Sequence, residues 1–201
     1  MVRESHEKTL RLVMLATLSA LVIILQLIGT FLPKLGVTMP SLVLIPIVLG
    51  AILYGPSAGA WLGFVFGAVV VIGGVSGLDA FTQILFQDHP LLTTLLCLGK
   101  GLLAGLVCAC VFRALCGKNE YLALFAAAAT APIVNTGLFI LGSYTMMDTF
   151  QSNFLGGGTS MFYFLVIVCA GWNFIFELLL NLLLCPALSR VIGVIKPQKG
   201  N

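Results

Sequence analysis

Charge is what this sequence lacks. Only 8% of its 201 residues are Asp, Glu, Lys or Arg, against 60% that are apolar. A soluble domain carries about 25% charged residues. So few charges cannot cover a water-facing folded surface, which excludes a soluble enzyme, a disordered tail and a nucleic-acid binder. The excess of ten Lys plus Arg over seven Asp plus Glu is too small to imply a polyanionic partner. Alternation is missing too: the apolar runs are continuous, and open sheet edges cannot face lipid, so a β-barrel is disfavoured. What remains is an all-α, polytopic membrane protein.

A crossing needs about 20 residues to span ~30 Å of hydrocarbon. The chain therefore has length for six crossings and none for a separate catalytic or nucleotide-binding domain. The runs predict a single integral membrane domain over 1–201, a six-transmembrane-helix bundle with helices at about 9–32, 42–53, 57–75, 90–116, 121–146 and 160–189. The first follows a charged leader but exceeds the roughly 7–15 apolar residues of a signal segment, with no cleavage site after it. It reads as a permanent helix. Six crossings put both termini on one side. That side collects Arg3, Lys8, Arg11, Arg113, Lys118, Arg190, Lys196 and Lys199, while the other keeps Lys34 with Asp79, Asp88 and Asp148. Positive charge marks the inside, so both termini are expected to be cytoplasmic.

Scarcity makes the remaining charges informative. A charge inside the membrane costs about 2.5–3.5 kcal/mol on insertion scales, and two fall there, Lys100 and Glu177. Lys100 lies about 15 Å along its helix from Pro90. Glu177 shares a helix face with Asn173 and Asn181 at spacing four. Three readings stay open: a Lys100–Glu177 ion pair, Lys100 as counter-ion of a ligand carboxylate, and a proton relay through Glu177. Asn135, Thr136, Trp172 and Asn173 reach similar depth, and with Lys100 they would suit a pocket for a small polar organic ligand. The connection from Gly29 to Ser41 holds Pro33, Lys34, Gly36, Thr38 and Pro40, turn formers enough for an ordered lid. Gly156-Gly157-Gly158 is a candidate hinge or a slack linker.

Small residues form stripes. Gly55, Gly59, Gly63 and Gly67 recur every four residues, and Gly101, Gly105 and Ala109 repeat the pattern on the next long helix. Such faces let helix backbones approach closely. Ala16-x-x-x-Ala20 is a smaller version. The six cysteines all fall within or at the ends of helices and read as apolar packing residues, with no metal site. Gly74-Val75-Ser76-Gly77 matches the Gly-x-Ser-Gly of intramembrane rhomboid proteases, but no histidine stands on a later helix to serve as base. Gly99-Lys100 lacks the rest of a phosphate loop. If transport is ATP-driven, another protein must hydrolyse the ATP.

Taken over nearly its whole length, the chain resembles a substrate-binding S component of an energy-coupling factor (ECF) vitamin transporter. The resemblance rests on six helices with no ATPase motif, Ala16-x-x-x-Ala20, the Pro-containing second helix, Tyr54-Gly55-Pro56-Ser57-Ala58-Gly59, Asn135-Thr136 and Asn173-x-x-x-Glu177. It is similar to pantothenate-type or related members. The resemblance implies a non-enzymatic subunit of the bacterial plasma membrane, without a cofactor of its own. Its partners would be a transmembrane T subunit and two ATPase subunits, the former docking at Ala16 and Ala20. Substrate would sit in the outer half under the first loop, touched by Thr38, Lys100, Asn135, Thr136, Trp172, Asn173 and Glu177. The rival reading is a stand-alone ion-coupled carrier using Glu177 and Lys100.

Overall fold

The computed structural model describes residues 2–31, 42–156 and 158–195, with side chains from residue 8 to residue 190 within those ranges. Helix dominates: α1 (Val2–Phe31), α2 (Leu44–Tyr54), α3 (Pro56–Val75), α4 (Ala80–Asp88), α5 (Pro90–Cys116) and α6 (Glu120–Ser143). A 3₁₀ turn, Tyr144–Met146, leads to α7 (Met147–Asn153). Then α8 (Met161–Tyr163) runs through a π-helical stretch, Phe164–Gly171, into α9 (Trp172–Ile195). No strand occurs among the described residues. Among the described residues, five helical segments are long and apolar enough to cross a membrane: Lys8–Phe31, Pro56–Val75, Pro90–Cys116, Glu120–Asn153 and Met161–Arg190.

The second apolar run behaves differently. At 11 residues α2 is only about 16 Å long, about half the thickness of the hydrocarbon layer. Burial instead of length defines it: Leu44, Ile47 and Val48 are wholly enclosed, as expected of a helix apolar on every side. Pro46 sits in its first turn, where the missing N–H breaks no intrahelical bond.

The glycine stripes of α3 and α5 face each other. A Cβ on Gly59 would meet the carbonyl oxygen of Gly105, one on Gly63 that of Gly101, and one on Gly67 that of Cys97. The two backbones are therefore in contact along three turns, an approach only glycine permits. Gly55 belongs elsewhere. Its φ is +88°, a turn conformation that favours glycine, and the space of its missing side chain holds the Arg113 guanidinium.

Toward the C-terminal end of α5 the core is dry, built from Ile52, Ala104, Cys108, Ala109, Leu124, Ala127, Ala128, Ala131 and Cys185. Toward its N-terminal end it opens around an aromatic cluster. Phe81, Phe150, Phe154 and Phe164 contact one another with ring centroids 5.1 to 6.2 Å apart. One element of this end is not expected from hydropathy: α4 fills the connection between α3 and α5. Asp79 caps it, accepting from the Phe81 N–H at 3.2 Å and the Thr82 hydroxyl at 2.6 Å. Thr93, fully buried on α5, donates to the Leu85 carbonyl at 2.8 Å and ties the two helices together.

Candidate functional site: a polar cavity between α3, α5, α6 and α9

Between the dry core and the aromatic cluster lies a cavity of about 350 Å³. Gln26 of α1, Phe66 and Val70 of α3, and Asp79, Phe81, Thr82 and Leu85 at α4 form one side. Thr93, Leu96, Cys97 and Lys100 of α5 form the floor of a second. Asn135, Thr136 and Phe139 come from α6, and Cys169, Ala170, Asn173 and Glu177 from the π-helical stretch and α9. The mixture of apolar walls with a few polar groups is that of a small-molecule site.

Five of the expected residues thus share one cavity: Lys100, Asn135, Thr136, Asn173 and Glu177. Lys100 is half-buried. Its Nζ lies 5.7 Å from the centroid of Phe66 and 5.3 Å from that of Phe139, both within cation–π range. Lys100 forms no ion pair among the described residues, so of the three open readings the one that joins it to Glu177 has no bond here, although both line the cavity. Two faces of π-electrons hold the ammonium, leaving its donors available. Asn135 is 8% exposed, and its Oδ1 is buried with no hydrogen-bond partner. Orphaned buried acceptors are costly and uncommon. One turn before it, Pro132 interrupts the α6 ladder. Glu177 is 2% exposed, and Asn181 donates to its backbone carbonyl at 2.8 Å.

Trp172 lies apart from these five. Its side chain is 74% exposed, tilted against Phe176, and takes no part in the cavity. Depth along a helix does not decide direction: neighbouring residues point about 100° apart, so the turn that aims Asn173 at the cavity turns Trp172 away. Thr38 and residues 32–41 of the expected lid lie outside the described residues, as does Gly157 of the candidate hinge. Ala16 and Ala20 are exposed on one side of α1, while Leu18 and Val22 point into the bundle.

Several lining residues escape a depth argument. Phe66, Phe81 and Phe139 sit in apolar sequence where nothing distinguishes a cavity wall from a lipid-facing ring. Asp79 counts at first only as a marker of the outer face. Gln26 carried a usable signal, as an isolated amide in an otherwise apolar run. The π-helix, with its wider turn, brings Cys169 and Ala170 to the wall. No pattern in the residues announces it.

An apolar helical bundle with a cavity lined by several polar groups now has a match. Residues 10–189 fit the family model "ECF transporter, substrate-specific component". The chain belongs to this family. No curated protein and no solved structure matches it. An ECF substrate-specific component is a transporter subunit and not an enzyme. Components of this kind bind a small-molecule substrate and work with T and ATPase subunits. With its apolar helices, this one is a multi-pass membrane protein.

Proposed function

We propose that this component captures a water-soluble vitamin, with pantothenate the best match, at the outer face of the bacterial plasma membrane. It releases the vitamin inside after docking with a T subunit and two ATPase subunits, which hydrolyse the ATP; the chain itself needs no cofactor. The observation that carries the substrate class is Lys100, a cation without a carboxylate partner among the described residues, held over two rings in a polar cavity. A ligand carboxylate would supply the missing partner in a charge-assisted bond. Asn135 Oδ1, buried and unsatisfied, calls for a donor on the same ligand. Pantothenate has one carboxylate, together with hydroxyls and an amide N–H that donate. Thr136, Asn173 and Glu177 are the remaining polar contacts, and Thr38 belongs to the lid.

The architecture in this reading is one membrane domain over 1–201, with α2 as the sixth element. Both termini are cytoplasmic, as the distribution of Lys and Arg supports. Ala16 and Ala20 offer a flat patch on α1 for the T subunit. Uptake into proteoliposomes tests the scheme. Accumulation of labelled pantothenate should require the T and ATPase subunits and ATP. Uptake by the chain alone, abolished by collapsing the proton gradient, would establish the ion-coupled carrier working through Glu177 and Lys100.

A further inference from the structure

Away from the cavity, at the opposite end of α5, two arginines converge on one turn. Arg11 of α1 reaches across to the α2–α3 connection, its Nη2 3.4 Å from the Tyr54 carbonyl and 3.2 Å from the Ser57 hydroxyl. Arg113 of α5 lays its guanidinium against Gly55 of the same turn. Both side chains are exposed, and neither has an ion-pair partner among the described residues. Like charges brought together in this way repel unless an anion lies between or above them. Among the described side chains the one acid at that end of the bundle is Glu120; Glu7, one turn before Arg11 along α1, has a side chain outside them.

Depth identifies the anion. Arg11 stands three residues into the apolar span that begins at Lys8, and Arg113 three residues before the end of α5 at Cys116. Each is about 4.5 Å from the end of its span, level with lipid headgroups once the helices sit in a bilayer. The plentiful anion at that level is the phosphodiester of an acidic phospholipid, whose oxygens fit the planar donor fork of arginine. We propose that Arg11, Arg113 and Ser57 bind the phosphate of an anionic membrane phospholipid at the α2–α3 turn. Gly55 then serves a second purpose besides its positive φ. It leaves the room in which Arg113 lies flat and keeps its outer edge toward the lipid.

Native mass spectrometry of the full chain, released from detergent with added phosphatidylglycerol or phosphatidylcholine, tests this. Phosphatidylglycerol should be retained in preference, and Arg11→Gln with Arg113→Gln should weaken that retention roughly tenfold or more, given two lost interfacial cations. Arg113→Lys, which keeps the charge and the fold but loses the fork, should fall between. Lys118→Gln, a loss of charge at the same end but off the turn, should change nothing. Equal retention of the two lipids, or an equal loss in Lys118→Gln, would overturn the proposal. Displacement of the lipid by millimolar inorganic phosphate would overturn its lipid part, making the turn a site for the free ion. If the arginine variants retained phosphatidylglycerol but no longer co-purified with the T subunit, the turn would be a protein contact instead.

Discussion

The two ends of α5 put one helix to opposite uses. Its C-terminal half is pressed against α3 and α6 largely through small residues, and Ala104, Cys108 and Ala109 have no exposed surface. Its N-terminal half holds Lys100 and Cys97 at the edge of a cavity, with aromatic rings in place of alanines. The closed half is stabilised by backbone approach and dispersion, which small residues allow. The open half retains polar groups that are not fully satisfied, such as Asn135 Oδ1. On the function proposed above, one region provides rigidity and the other gives up stability for a ligand. Substitutions should therefore have contrasting signatures in the two halves.

The largest effect belongs to the closed half. Gly59→Val would drive a side chain into the Gly105 carbonyl, where backbone meets backbone and nothing can swing aside. A loss of about 3 kcal/mol or more is expected, visible as a lowered melting temperature and poor monodispersity in detergent. Gly137→Ala is its control. No atom lies within 4 Å of the added methyl, so stability should hold or rise by about 0.5–1 kcal/mol.

In the open half the signature reverses, with binding lost and stability kept. Lys100→Ala should weaken an anionic ligand by about 10- to 150-fold, the range of a hydrogen bond to a charged group, with the melting temperature of the ligand-free protein unchanged or higher. Asn135→Leu should sharpen the contrast. It removes a buried acceptor without a partner, so thermal stability should rise even as affinity falls roughly tenfold. The smallest effect is expected at Trp172. Since its ring points away from the cavity, Trp172→Leu should change affinity less than about twofold in a fluorescence or calorimetric titration. A large loss there would move the site toward the outer face of α9.

Much of this contrast is legible in the residues themselves. Glycine at spacing four on two helices carries the α3–α5 seam, because the period of a helix turns spacing directly into a face. The rarity of intramembrane charge singles out Lys100 and Glu177, and simple rise per residue brings Asn135 to the same level. What stays hidden is direction and irregularity. Trp172 and Asn173 share a depth but not a face. The π-helical stretch changes the register of everything after Phe164 without a proline or glycine to mark it inside the run until Gly171. α4 is nine residues long, too short for hydropathy to separate it from a loop, yet it brings Asp79, Phe81, Thr82 and Leu85 to the cavity. Gly55 continues the glycine spacing but serves a turn and an arginine, so periodicity alone overextends the seam by one step.

The central claim is that the open half recognises an anionic vitamin through Lys100. Titration calorimetry of the purified full chain against a panel of water-soluble vitamins tests it most directly, with wild type and Lys100→Ala run side by side. The proposed function predicts saturable one-to-one binding of a carboxylate-bearing vitamin, pantothenate first, that weakens at least tenfold in the variant while both proteins melt alike. Tight binding that is indifferent to Lys100→Ala, or selective for a cationic vitamin, would contradict it.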